Sequence, residues 1–112
     1  AEYIGGAIAP GISVAADALF HSTSQLRRVE LDRPPTAIGR NTVHAIQSGL
    51  VLGYADMVKG MVARFDEEMG GGCKVLATGG LADLIEKETR IFDAVVPDLT
   101  LIGLSIIHRM NT

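Results

Sequence analysis

Three short stretches of this sequence carry residues whose types and spacing could do chemistry. Gly79-Gly80 follows the β-rich run Lys74–Thr78 and precedes a helical pattern. A glycine turn between a strand and a helix is where backbone N–H groups meet a phosphate or a nucleotide. Asn41-Thr42 stands just before a long helical pattern, where polar side chains cap helices. Gly5-Gly6 interrupts a strand-like run, which marks a bulge or a close approach of a ligand or of backbone.

Each stretch also has a purely structural interpretation, and the residues alone leave both open. Tight turns use glycine for steric reasons, a packing-driven bulge explains Gly5-Gly6, and Thr42 can act only as a cap. Other chemistries lack a signature, because the histidines are far apart in sequence and none stands at ligand spacing from the one thiol, Cys73. There is no Gly-x-Ser-x-Gly elbow, P-loop or six-residue dinucleotide fingerprint. We therefore expect no metal site and no nucleophile.

The longest element is a helix predicted over 43–69. Its apolar residues recur at steps of three and four, the spacing of one helical face: Val43, Ile46, Leu50, Tyr54, Met57, Met61, Phe65 and Met69. Gly70-Gly71-Gly72 follows where the helix should end. Gly49, Gly53 and Gly60 lie inside it, and each costs about 1 kcal/mol of helix propensity relative to Ala. We therefore expect something to pack very close against this helix.

The remaining sequence alternates strands with helices. The predicted elements are a strand over 3–9, a helix over 12–19, an irregular segment over 20–39, a strand over 74–78, a helix over 81–90, a strand over 94–96 and a last helix from Asp98. Such alternation predicts an α/β fold with parallel neighbouring strands. Three strands leave two exposed edges, which a free-standing domain avoids. We therefore expect one domain, 1–112, that is partial and lacks its first strands.

The amino-acid composition limits the classes of protein to which this chain can belong. The chain has 112 residues, 47% of them hydrophobic and 21% charged, as in a globular domain. With a net charge of −3 and no basic run beyond Arg27-Arg28, we expect no nucleic-acid partner. No apolar run reaches the length that spans a membrane. A single cysteine fits a reducing compartment, and so we expect a cytoplasmic protein.

Five motifs then occur in one order along the chain: Gly5–Gly11, Leu26–Val29, Gly39–Thr42 with Ser48-Gly49, Ala77–Gly80 and Pro97–Leu104. Together they resemble the C-terminal half of a type III pantothenate kinase, a family also named after the Bvg accessory factor. The resemblance spans essentially the whole chain. Each motif is weak alone, but the ordered set is specific.

The resemblance implies a ribonuclease-H-like domain of the actin-like ATPase superfamily. It implies ATP-dependent phosphorylation of pantothenate, which is the first step of coenzyme A biosynthesis. The family works with ATP and magnesium, and with a monovalent cation such as potassium or ammonium. It is a homodimer, and the resemblance places the dimer contact on the helix 43–69.

The resemblance also implies roles for single residues. Thr42 matches a threonine that reaches pantothenate across the dimer interface. Gly5 and Gly6 would line the substrate cavity, and Gly79-Gly80 would match the adenosine-side turn of the superfamily. His21 lies near a loop position that faces the substrate in some relatives, but the register there assigns it no role.

Three family motifs are absent from this chain: the phosphate-binding Asp-x-Gly-Asn-Thr, the Gly-x-Asp-Arg segment with the catalytic aspartate, and the Gly-Thr-Ala-Thr-Thr stretch with the cation-binding aspartate. Phosphoryl transfer depends on positioning and charge neutralisation. We therefore expect no catalytic residue and no metal ligand in this chain, which alone should be inactive, whereas the full-length protein should be a kinase. Two alternatives are a non-catalytic transcriptional accessory factor and a dimerisation domain built on the long helix.

Overall fold

The computed structural model describes residues 4–21 and 29–96, and the chain divides into two compact units. The first unit, Ile8–Asp56, is called the α unit because its regular elements are helical. The second, Ala1–Ala7 with Met57–Thr112, is called the α/β unit because it contains both strands of the described residues. The described residues therefore form a small α/β arrangement, in agreement with the predicted class.

Helix α1 (Ile12–His21) opens the α unit. The carbonyl of Gly11 accepts the first helical hydrogen bond from the N–H of Ala15 at 2.9 Å. Ile12 and Ala16, one turn apart, are its buried residues. The predicted helix over 12–19 is thus confirmed, and it continues to His21.

The long predicted helix is confirmed as one helical run in three parts. It consists of α2 (Thr42–Gln47), a π-turn (Ser48–Leu52) and α3 (Gly53–Glu68). Asn41 caps its start with extended backbone (φ −144°, ψ 170°), and its side chain accepts from the N–H of His44. The run ends at the predicted glycines, which all have positive φ.

The π-turn changes which side of this run is buried. Before it the predicted face holds, since Ile46 is 7% exposed. Within it the predicted Leu50 and the next residue, Val51, are both buried. After it the buried residue is Ala55, one position later than the predicted Tyr54. A π-turn takes in one extra residue, which rotates every later side chain by about 100°. The single-face prediction is therefore wrong beyond Leu50, and several residues assigned to the buried face are 40% exposed: Met57, Phe65 and Met69.

The π-turn packs against α1 and completes the core of the α unit. Val51 is fully buried there. The hydroxyl of Tyr54 donates to the carbonyl of Pro10 at 2.8 Å, which ties the start of α3 to the turn before α1. Among the described residues of this unit, the buried side chains are all apolar: Ile12, Ala16, Ile46, Leu50, Val51 and Ala55.

In the α/β unit, β1 (Leu76–Ala77) and β2 (Ala94–Val95) form a two-stranded parallel sheet. Leu76 pairs with Ala94 and Ala77 with Val95. Helix α4 (Ala82–Thr89) connects them and ends at Arg90, whose φ is 53°. The predicted parallel pairing and the intervening helix are confirmed, although both strands are shorter than predicted.

One further predicted element is wrong, and another lies outside the described residues. The described part of the predicted strand over 3–9 is not a strand, and its side chains Ile4 and Ile8 are 73% and 102% exposed. A strand needs a hydrogen-bonded neighbour, and no described residue supplies one to this segment. The predicted helix from Asp98 lies outside the described residues. Within the described ranges no helix is both long enough and apolar enough to cross a bilayer.

Candidate functional site

An open groove of about 330 Å³ lies in the α unit, between α1 and the first turns of the long helical run. Among the described residues that line it, Thr42 is the only one with a polar side chain. The others are apolar or are glycine: Leu19, Ala45, Ile46, Gly49 and Leu50. A groove with apolar walls and a single hydroxyl at its edge fits a ligand that combines methyl groups with hydrogen-bonding groups.

Thr42 is the first helical residue of α2, and Asn41 is the cap. The Asn41 Oδ1 accepts from the N–H of His44 at 2.8 Å. The capping role therefore belongs to Asn41, and the interpretation of Thr42 as the N-cap is wrong. Because Thr42 is exposed and lines the groove, its hydroxyl is placed to meet a ligand.

The loop before α2 approaches the helix very closely at Gly39. A Cβ on Gly39 would lie far inside contact distance of the Ala45 backbone, and 2.7 Å from the carbonyl carbon of His44. Real Cβ atoms do not approach other atoms that closely. Glycine is therefore the only residue type at position 39 that allows the backbone to follow this path into the Asn41 cap.

Two side chains of the helical run also hold this loop. Gln47 Nε2 donates to the carbonyl of Glu30 at 3.1 Å. Ser48, the first residue of the π-turn, donates its hydroxyl to the carbonyl of Ala37. The π-turn therefore carries both Ser48, which holds the loop, and Gly49, which lines the groove. Single π-turns inside α-helices occur frequently at functional sites.

The glycine turn lies in the α/β unit, between β1 and α4. Gly79 has a φ of 118°, which only glycine adopts readily, and its carbonyl accepts from the N–H of Ala82 at 3.2 Å. Leu81 precedes the helix and makes no side-chain cap. A helix start that follows a glycine turn is a place where backbone N–H groups can bind a phosphate. A nucleotide role for Gly79 and Gly80 stays a prediction.

Gly5 and Gly6 are exposed, and Gly5 has a φ of 128°. They fall in the α/β unit, whereas Thr42 falls in the α unit. Their shared participation in one substrate cavity therefore stays a prediction.

The half-buried Cys73 is not an activated nucleophile. Partial burial raises the pKa of its thiol, and the nearby Asp66 carboxylate raises it further. The thiolate is the reactive form of cysteine, so this thiol stays protonated near neutral pH. Among the described residues no cluster of His, Cys, Asp or Glu could hold a metal ion.

Sequence reasoning missed several groove residues. Ile46 and Leu50 were assigned to the buried face of the long helix, and their periodicity gave no sign of a groove. Leu19, at the end of the helix predicted over 12–19, was given no role. The close approach of Gly39 was also missed, although a glycine two residues before a cap is a local signal. The pairing of Asn41 with His44 has the three-residue spacing of a capping box.

Comparisons with known proteins agree with the resemblance. The sequence pattern of the type III pantothenate kinase family matches residues 1–64. The chain is 57% identical over 110 residues to a protein named type III pantothenate kinase from Roseiflexus sp. (strain RS-1), covering 98% of this chain and 43% of that protein. It is 53% identical over 111 residues to the protein of that name from Moorella thermoacetica, covering 99% of this chain and 44% of the relative. The chain thus spans a little over two fifths of the length of these relatives.

Proposed function

The chain belongs to the type III pantothenate kinase family, and from this premise we propose that it is the C-terminal part of an enzyme that phosphorylates pantothenate with ATP. This reaction opens coenzyme A biosynthesis. The observation that carries the proposal is the 57% identity over 110 residues to a relative of that name. At that level of identity we expect the complete protein to catalyse the reaction for which the relative is named.

The groove supports pantothenate as the ligand on chemical grounds. Pantothenate carries geminal methyl groups beside hydroxyl, amide and carboxylate groups. Its methyl groups match the walls formed by Leu19, Ile46 and Leu50, and its polar groups match the Thr42 hydroxyl. In the reaction the primary hydroxyl oxygen of pantothenate bonds to the γ-phosphorus of ATP, the bond from that phosphorus to ADP breaks, and the hydroxyl proton leaves to a base. Thr42 contributes to positioning in this scheme.

We place the nucleotide at the turn of Gly79 and Gly80, whose uncapped helix start offers N–H groups to a phosphate. We place Gly5 and Gly6 at the substrate cavity, where glycine lets a ligand approach the backbone. The α/β unit would belong to a ribonuclease-H-like domain, of which 1–112 is a part. A single cysteine fits a cytoplasmic enzyme.

Magnesium and a monovalent cation, potassium or ammonium, would accompany ATP. Among the described residues no group of three or more His, Cys, Asp or Glu side chains could hold a metal ion. We propose that the aspartate motifs of the family, which this chain lacks, supply the cation ligands and the catalytic base.

An activity assay tests the proposal. We expect the complete enzyme that contains this segment to consume ATP only when pantothenate is present. We expect the 112-residue chain alone to be inactive, because it lacks the family's phosphate-binding and aspartate motifs. Turnover by the chain alone would contradict the proposal that the missing motifs are needed for catalysis. A complete enzyme without pantothenate-dependent turnover would contradict the function.

The homodimer is proposed through the helical run predicted over 43–69. Three apolar side chains along one side of this run are each 40% exposed: Met57, Phe65 and Met69. On the same run, no described atom lies within 4 Å of a Cβ built on Gly53 or Gly60. The helix glycines, for which we expected a close packing partner, therefore have none within the described residues, which leaves room for a second copy of the chain.

Leucine in place of Gly53 should weaken this dimer. The space around Gly53 is open within the described chain, and leucine has a higher helix propensity than glycine, so the protomer should still fold. The matched control is Ala63→Leu, which adds a similar bulk at an exposed position that lies about 120° or more around the helix from Met57, Phe65 and Met69. Sedimentation velocity should show a monomer for Gly53→Leu and a dimer for the control. A dimer in both variants would contradict this interface.

A further inference from the structure

We propose that His44 is a positioning residue for the pantothenate-binding threonine, acting through Asn41. The inference rests on the proposed function, and it adds a residue that neither the sequence patterns nor the groove lining identified. It follows from two contacts of one amide side chain. The Asn41 Oδ1 accepts from the backbone N–H of His44 at 2.8 Å, and the Asn41 Nδ2 lies 3.1 Å from the His44 Nδ1.

The first contact fixes the orientation of the Asn41 amide. A backbone N–H only donates, so the atom that faces it must be the amide oxygen. The amide nitrogen therefore faces the imidazole, and it too only donates. The His44 Nδ1 must consequently accept, which places the ring proton on Nε2. The Asn41 side chain is then held at both of its polar atoms, as in a reciprocal cap.

Asn41 directly precedes Thr42, so the conformation of Asn41 determines where the Thr42 side chain lies. Asn41 has extended backbone, and Thr42 begins the helix and lines the groove. A side chain fixed at both ends keeps the first turn of α2 from fraying. Without the imidazole acceptor the Asn41 amide has one bond fewer, and the Thr42 hydroxyl has a wider range of positions. The expected consequence is weaker binding of the substrate that Thr42 contacts, with the transfer step unchanged.

The experiment uses the complete enzyme with three substitutions. His44→Leu removes the acceptor but leaves the backbone N–H that Asn41 Oδ1 caps. His44→Asn restores an acceptor, because its Oδ1 occupies a position comparable to Nδ1. Tyr54→Phe is the matched control, since it removes one side-chain hydrogen bond of the same helical run, to the carbonyl of Pro10.

We expect His44→Leu to raise the KM for pantothenate about fivefold, the effect of one hydrogen bond, with kcat and the KM for ATP unchanged. His44→Asn should restore the KM, and Tyr54→Phe should leave it unchanged. An unchanged KM in His44→Leu, no rescue by His44→Asn, or an equal rise in the KM for ATP would overturn the role of His44 alone. A wild-type enzyme without pantothenate-dependent turnover would instead overturn the proposed function, and this role with it.

A spectroscopic readout is independent of turnover. Long-range ¹H–¹⁵N correlation of the histidine rings reports which nitrogen is protonated. We expect an unprotonated Nδ1 and a protonated Nε2 for His44, and a change in the Nδ1 resonance when Asn41 is replaced by Ser. A protonated Nδ1 in the neutral ring would overturn the proposal, because Nδ1 could then not accept from Asn41.

Discussion

Alanine in place of Gly39 is expected to lower the free energy of unfolding by about 3 kcal/mol, at the upper end of the range for forced overpacking. The added Cβ would overlap the backbone of Ala45 and lie 2.7 Å from the carbonyl carbon of His44. Backbone atoms cannot rotate away as a flexible side chain can. The loop must therefore move off α2, and the contact from Ser48 to Ala37 is expected to break with it.

Urea unfolding of the complete protein, followed by circular dichroism, measures this loss. The matched control is Gly11→Ser, at the residue whose carbonyl begins α1. A Cβ on Gly11 meets no described atom within 4 Å, and serine is a preferred N-cap. The control should keep or slightly gain stability. Equal stability of the two variants would show that the approach of Gly39 to Ala45 is not tight.

Local rules predicted the parts of the fold that depend on local chemistry. A polar cap at Asn41 or Thr42 and the glycine stop after Met69 follow from backbone groups that need partners at helix ends. The parallel pairing of β1 with β2 follows from the connection through α4. The π-turn did not follow, because helical period assumes a constant number of residues per turn. What favours the wider turn is tertiary: Val51 is fully buried in the core and Ser48 holds the loop at Ala37.

The candidate site was likewise predictable from the sequence only where it depends on local chemistry. The sequence placed a polar residue at the start of the long helix, but it could not decide whether Asn41 or Thr42 was the cap. That choice depends on which side chain meets the N–H of His44, and the structure gives this role to Asn41. Nor could the sequence show the groove, because its wall combines Leu19 with Ile46 and Leu50 from a distant part of the chain.

Alanine in place of Thr42 is expected to raise the KM for pantothenate about 30-fold, the effect of losing a hydrogen bond to a charged or strongly polar ligand group. Because Asn41 provides the cap, Thr42→Ala should leave the stability of the protein nearly unchanged. Alanine also has the higher helix propensity. The variant thus separates the two roles that a threonine at a helix start can have.

Serine is the matched control for Thr42. Thr42→Ser keeps the hydroxyl and removes only a methyl group, so it should keep a KM for pantothenate close to that of the wild type. The thermal unfolding midpoints of both variants should match the wild type. A Thr42→Ala variant that loses stability and keeps its KM would return Thr42 to a structural role.

The most direct test of the account is the equilibrium binding of pantothenate to the complete enzyme, measured by calorimetry for the wild type, Thr42→Ala and Thr42→Ser. The account predicts binding by the wild type and by Thr42→Ser, with an affinity about 30-fold lower for Thr42→Ala. Equal affinity in all three proteins would contradict it, because the groove threonine of α2 would then make no contact with the substrate.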